Sequence, residues 1–302
     1  MTHYYSLNEY CRNEFGHKLY KLSLDGGMTC PNRDGTVGTG GCIFCSEEGS
    51  GDFAERRCGD IAQQIENAKK RVAHKNKGGK YIAYFQSFTN TYAPVDYLRR
   101  IFTEAVHHPD IEVLSIATRP DCVGEEVIKL LSELNGIKPV WVELGFQTSN
   151  ENSARYIRRG YGNRVFASAV KRLTDAGIKT VAHVILGLPD ENISDMENTV
   201  RFVCDCGVWG IKLHLLHVLN GTPLSKDFAE GKFKCMEKDE YLSAVCRMLQ
   251  IIPKNIVIHR LTGDGDKKKL IAPLWSGNKK DVLNSLSTML TAKNIVQGEL
   301  FN

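Results

Sequence analysis

From residue 18 to residue 219 the chain alternates β-rich apolar runs with amphipathic helical ones, and this alternation restricts the fold more than any other feature. Strands are expected at 18–27, 80–88, 111–119, 139–148, 177–189 and 208–219. Helical text fills the gaps at 59–75, from Ala93-Pro94 to about 108, at 124–135, 150–157, 163–176 and 192–206. A proline suits a first helical turn, and Gly177 stops the helix before it. Strand–helix alternation at this spacing builds βαβ units around a parallel sheet. Right-handed crossovers then put every strand's C-terminal end on one face. Six units predict an α/β fold, a partial (β/α)6 TIM-type barrel with its catalytic groups at the C-terminal strand ends. After residue 219 the pattern changes to a helix at 237–250, a short strand at 255–261 and a helix at 279–292, read as a C-terminal α/β extension. The expected division is an N-terminal segment 1–17, the barrel 18–220, and the extension 221–302 as a candidate substrate-binding region.

The first strand runs into TCPNRDGTVGTGGCIFC, residues 29–45, which carries Cys30, Cys42 and Cys45. The loop therefore belongs on the catalytic face. The N-terminus MTHYYSLNEYCRNEF lacks a basic region followed by an apolar one, so no signal peptide is expected. No apolar run approaches the ~20 residues of a membrane span. A cytoplasmic protein with no membrane partner is expected, its ten cysteines mostly thiols. Most cysteines read as small buried apolar side chains; only clustering singles out these three. Thiolates select zinc, copper(I) or iron–sulfur clusters. Structural zinc takes four ligands, usually as two pairs, and here one C-x2-C pair stands with a single outlying cysteine. Cys58 or His74 could complete such a site, which keeps a non-enzymatic zinc-binding module open. A redox C-x-x-C opens a helix in a thioredoxin-type unit, whereas this pair ends a long glycine loop. A fully cysteine-ligated cluster has four thiolates; three fit a [4Fe–4S] cluster with one iron left open for a small molecule. Glycines at 35, 38, 40 and 41 make the eleven-residue spacer feasible, since glycine tolerates positive φ.

The loop resembles the radical SAM superfamily, whose open iron chelates S-adenosylmethionine (SAM). DGGMTCPNRDGT, FQSFTNTYAP, TRPDC, ELGFQT, HRLTGD and APLWS together resemble its YhcC/YtqA-type subfamily, related to the elongator catalytic subunit. The commonest superfamily spacing is C-x3-C-x2-C; the longer first spacer here is similar to the elongator branch. The resemblance implies one [4Fe–4S] cluster on Cys30, Cys42 and Cys45, reductive SAM cleavage to a 5′-deoxyadenosyl radical, and an electron donor such as flavodoxin or ferredoxin. It implies that Phe44 lies beside the adenine and that Arg159, in the R-R-G after ELGFQT, meets the SAM carboxylate. Gln147, within that motif, joins the implied SAM-binding set. HVILGLP implies adenine contact near Ile185 and Leu186, with His183 at the place of a ribose-binding aspartate. Ala117 stands where relatives have a ribose glutamate, so Thr118, Arg119 or Glu143 would replace that contact. FQSFTNT lacks the acid of the glycine-glycine-glutamate type motif and offers Gln86 and Ser87 as polar lining.

From Lys254 onward eight lysines and arginines face four acids, an excess equal to the +4 of the whole chain. Within it, HRLTGDGDKKK puts His259 and Arg260 close to Lys267, Lys268 and Lys269, a candidate site for phosphate or a modified base. The resemblance makes tRNA, at the wobble uridine side chain, the implied substrate class. A small molecule or cofactor precursor is the alternative for the same chemistry. No RNA-recognition motif supports the tRNA reading independently.

Overall fold

The computed structural model describes residues 2–47, 49, 54, 60–74, 79–263 and 265–301. In chain order its elements are α1 (Leu7–Phe15), β1 (Tyr20–Leu24), α2 (Ile61–Val72), β2 (Tyr81–Phe85), α3 (Val95–His107), β3 (Ile111–Thr118), α4 (Glu125–Asn135) and β4 (Val140–Gln147). There follow α5 (Glu151–Tyr156), α6 (Asn163–Asp175), β5 (Lys179–Leu186), α7 (Ile193–Asp205), β6 (Gly210–Leu215), β7 (Val218–Leu219) and α8 (Pro223–Ala229). The chain ends with α9 (Lys238–Ile251), β8 (Val257–Arg260), β9 (Leu270–Ala272) and α10 (Lys279–Ala292).

Seven parallel strands form one curled half-barrel sheet in the order β1-β2-β3-β4-β5-β6-β8. Strands β2 and β3 are buried on both faces, as a sheet covered by crossover helices requires. The outer face packs against the helices through Leu98, Phe102, Leu130, Phe166, Val200 and their neighbours. The short strand expected at 255–261 is the seventh strand of this sheet: β8 pairs with β6, and Val257 and Ile258 are buried there. The single strand expected over 208–219 is two. β6 ends at Leu215, and the chain turns so that β7 pairs antiparallel with β9. Pro94 caps α3 instead of entering its first turn.

The pattern of residues 1–17 does not announce α1. Ser6 caps its first turn and Gly16 ends it in the left-handed conformation. Its Tyr10 meets Trp141 and Trp209 edge-on, at 6.0 and 4.8 Å between ring centroids, and so closes the N-terminal end of the barrel interior. Aromatic burial of this kind contributes more than the helix's own propensity.

Candidate active site

A cavity of about 260 Å³ opens at the C-terminal strand ends. Cys30, Cys42 and Cys45 line it, together with Phe44, Gln86, Thr118, Arg119, Glu143, Gln147, Arg159, His183, Ile185 and Arg260. Residues spread over the chain thus meet in one place because every βα junction falls on one face.

The cysteine loop folds on itself. Arg33 and Asp34 N–H donate to the Cys30 carbonyl, Gly41 N–H to the Asn32 carbonyl, and Cys45 N–H to the Cys42 carbonyl. It docks through Ile43, a buried side chain whose N–H donates to the Ile157 carbonyl and whose own carbonyl accepts from Leu224 at the start of α8. Glycines 35, 40 and 41 adopt positive φ as expected. Gly38 does not; it is needed for closeness, since a Cβ there would stand 2.6 Å from Asn32 Oδ1. Asn32 Nδ2 donates to Cys42 Sγ at 3.5 Å and to the Arg158 carbonyl at 2.6 Å. Gly38→Ala is therefore expected to push Asn32 off the sulfur, cost about 1–3 kcal/mol, and lower bound iron per chain, measured after anaerobic reconstitution.

The hydrogen bond from Cys45 lowers the Cys42 thiol to about 7, with Arg119, Asn32 and Arg33 assisting against burial. The same shared proton raises Cys45. The donor set also tests the two metal readings. The three thiolates of one tetrahedral zinc would stand about 3.8 Å apart, given ~2.3 Å Zn–S bonds. Among the described residues, three ligand atoms gather within 4.8 Å only at Glu66, His108 and Asp110, where Lys69 already bridges Glu66 and Asp110. The three cysteine sulfurs do not form such a group, although Cys42 and Cys45 are close enough to share a hydrogen bond, so no three-thiolate zinc site stands preformed among the described residues. His74 is exposed and does not line the cavity; Cys58 lies outside the described residues.

Gln147 reaches the cavity through a bulge. The β4–β5 register shifts between Gly145 and Gln147, and Gln147 takes the left-handed φ of 73°. Bulges and strained non-glycine residues of this kind re-aim side chains at functional sites. Gly145 leaves room: a Cβ there would lie 3.0 Å from Gln147 Nε2. Ser23 Oγ donates to Gln86 Oε1 at 3.1 Å and orients it. Thr91 Oγ1 donates to the Cys122 carbonyl, so the Thr118 hydroxyl donates to Thr91 at 2.6 Å and presents only acceptor capacity to the cavity. Phe44 and Ile185 belong to one apolar cluster that walls the cavity.

Several expected contacts are differently placed. Arg159 lines the cavity but is 1% exposed, and its five N–H donors all face protein acceptors: the carbonyls of Phe146, Thr148 and Tyr161, Asn163 Oδ1 and Glu151 Oε2. It clamps Tyr161 together with Arg119, their guanidinium carbons 4.8 and 5.0 Å from the ring. Ser87 is buried and does not line the cavity, while Gln86 beside it does. The Leu186 side chain joins the helix-facing core, and its carbonyl accepts from Leu216 N–H; alternation sends Ile185 the other way. His259 is a correction to the substrate reading: it packs against Trp141 and Trp209, at 5.7 and 5.0 Å between centroids, and both ring nitrogens are buried. Lys267 and Lys268 are exposed and Lys269 half-buried, just beyond Gly263 and Gly265, which line the cavity.

Glu143 makes no room for ribose either. Its carboxylate is fully buried on β4 and accepts from Lys21 Nζ at 2.9 Å and Ser115 Oγ at 2.8 Å on one oxygen. The other oxygen accepts from His183 Nε2 at 2.7 Å and from Lys212 Nζ. A buried carboxylate persists only when so compensated. Burial alone would raise its pKa, but Lys21, Lys212 and His183 hold it well below the usual carboxylate range. Lys21, Lys212 and Tyr84 escape sequence reasoning because a lysine inside a β-run carries no motif; the alternation of Lys212 and His214 on one strand face was the available signal.

Burial, aided by Lys212, pushes His183 down to about 4. His214 is held down by burial and Arg260, and His259 by burial and Lys21. Each binds a proton more readily in the unfolded chain, near pH 6.5, so their stability contribution is full above that value. It is lost as pH falls, for His183 between about 6.5 and 4. The urea midpoint is expected to drop across that range, and less steeply in His183→Gln. An unmoved midpoint would mean these rings are charged in the fold.

Comparison with known proteins follows this geometry. The family model described as the Radical SAM superfamily matches residues 34–203. The Radical_SAM C-terminal domain matches residues 208–292. The chain is 46% identical over 298 residues to "Uncharacterized protein YtqA" of Bacillus subtilis, covering 99% of this chain and 92% of that one. It is 36% identical to "Protein YhcC" of Escherichia coli strain K12, covering 88% and 85%. The solved structure of the archaeal Methanocaldococcus infernus Elp3 superposes with a TM-score of 0.69 at 17% identity, over 92% of this chain and 64% of that chain, a likeness of fold. No helix among the described residues is long and apolar enough to cross a membrane.

Proposed function

This chain belongs to the radical SAM superfamily, in the YhcC/YtqA branch related to elongator, and on that premise we propose that it reductively cleaves SAM and acts on tRNA at the wobble uridine side chain. The observation that carries the chemistry is the convergence of Cys30, Cys42 and Cys45 on one wall of the cavity at the C-terminal strand ends. Those three thiols would hold the [4Fe–4S] cluster, which when bound supplies the electron that splits SAM.

The chain's own residues position and shield. Asn32, Arg33 and Arg119 place hydrogen-bonding and positive groups beside the cysteines and favour the thiolate form. Phe44 and Ile185 offer an apolar surface suited to a purine. Gln147 and Thr118 offer polar atoms at the strand ends, and Arg119, 8% exposed, lines the same cavity. Enclosure keeps water from a reactive radical.

The tRNA part rests on kinship with elongator, on the fold likeness to Elp3, and on the exposed Lys267 and Lys268 beyond the cavity-lining Gly263 and Gly265. An acidic electron carrier of the flavodoxin or ferredoxin class would supply the reductant. The test is anaerobic reconstitution with dithionite and SAM, scored by 5′-deoxyadenosine, then repeated with bulk tRNA and mass spectrometry of its nucleosides. A changed wobble uridine is expected. 5′-Deoxyadenosine without any nucleoside change, in vitro or in a deletion strain, would overturn the tRNA part and favour a small-molecule substrate.

A further inference from the structure

Asn32 is a buried polar residue of the cysteine loop, 4% exposed. Its backbone is pinned on both sides: Arg33 and Asp34 N–H donate to the Cys30 carbonyl, Val37 and Gly38 N–H to the Pro31 carbonyl, and Gly41 N–H to the Asn32 carbonyl. Its side chain fits because two glycines stand aside. A Cβ on Gly38 would lie 2.6 Å from Asn32 Oδ1, and one on Gly160 3.5 Å from it. The amide nitrogen faces the Arg158 carbonyl at 2.6 Å. A carbonyl can only accept, which settles the orientation of the amide. The same nitrogen donates to Cys42 Sγ at 3.5 Å. Arg158 presents its carbonyl from a left-handed φ of 56°, a strained backbone of the kind that functional sites retain.

As a free thiol Cys42 also donates to the Arg158 carbonyl, at 3.6 Å, and shares a proton with Cys45. A metal-bound cysteine has lost its proton. Sulfur and carbonyl then face each other as two acceptors. With Cys45 deprotonated as well, Asn32 is the one side chain among the described residues left with a donor on that sulfur. A donor to a ligating sulfur stabilises the electron-rich reduced cluster more than the oxidised one, and such hydrogen bonds help to set iron–sulfur potentials.

We propose that Asn32 is a positioning residue for the cluster: its Nδ2–H holds Cys42 Sγ as a thiolate ligand and raises the potential at which one electron is accepted from a flavodoxin- or ferredoxin-class carrier. This role rests on the reading of the loop as the cluster site, which three thiols open to one cavity support.

The first test uses wild-type protein, cluster-loaded and reduced with dithionite in the absence of SAM, produced with asparagine that carries the heavier nitrogen isotope in its side-chain amide alone. Pulsed electron paramagnetic resonance is expected to show a nitrogen coupled to the cluster whose signal differs between labelled and unlabelled protein. Among the described residues Asn32 is the asparagine whose side chain bonds to a sulfur of the loop, so the signal reports on it. The second test is potentiometric titration, read per bound cluster, of Asn32→Ala and of Gly38→Ala, whose methyl group displaces the amide. At the wild-type midpoint the ratio of reduced to oxidised cluster is expected to fall about tenfold, a shift of about 59 mV for one electron. An asparagine that only shapes the loop would lower cluster content and leave the midpoint in place. An isotope-insensitive spectrum or an unmoved midpoint overturns the proposal, and the wild-type spectrum decides if neither variant holds a cluster. Wild-type protein that binds no iron would refute the reading of the loop itself, a separate failure.

Discussion

Alanine at Cys30, Cys42 or Cys45, one position at a time, is expected to bring bound iron and sulfide to background and to reduce SAM cleavage at least about a thousandfold, or about 4 kcal/mol of barrier. The three sulfurs line one cavity wall and belong to one self-bonded loop, and among the described residues no other cysteine lines that cavity. The control set is chosen by placement. Cys204 and Cys206 lie at the end of α7, and burial raises both thiols, to about 12 and about 11. Cys235 is raised likewise to about 11. Cys122 is raised to about 12 by burial and Asp121. Thiols held protonated make poor ligands and nucleophiles, so alanine at any of the four should leave iron content and cleavage unchanged. Loss of iron in one of these variants would require a second metal site.

Glu143→Gln is expected to cost about 3–5 kcal/mol, because it strips the charge from a fully buried carboxylate while Lys21, Lys212 and His183 stay beside it. For a chain of this size that lowers the unfolding temperature by roughly 5–8 °C. Glutamine preserves the shape, so the loss reads charge and not packing. Adding Lys212→Met removes one stranded cation, and the double variant should be less unstable than the two single losses summed, with a coupling of about 0.5–3 kcal/mol. A single variant within about 1 kcal/mol of wild type, or strictly additive losses, would show that Glu143 does not organise the barrel interior.

What could be read from the chain beforehand differs by kind of residue. The βα pattern was legible because each strand announces itself through local composition, and the cysteine loop because spacing is a sequence property. α1 was not, since its Tyr10 is held by Trp141 and Trp209, which are far away along the chain. The roles expected of Arg159 and Glu143 pointed to a polar residue after α5 and one on β4. Burial then decided that their hydrogen-bonding capacity serves the protein first. His259 and Arg260 are adjacent, yet one meets tryptophans edge-on and the other lines the cavity, a separation that the two-residue period of a strand imposes.

By itself the sequence determined the order of strands and helices, the face on which the cysteine loop emerges, and the triplet Cys30, Cys42 and Cys45, because these depend on local pattern and on the handedness of the chain. Only the tertiary structure decided which charges share the barrel interior. Lys21, Glu143, Lys212 and Arg260 come from four strands separated by up to 239 positions. Their meeting depends on sheet order and register, and the energy of a charge depends on what surrounds it once water is gone.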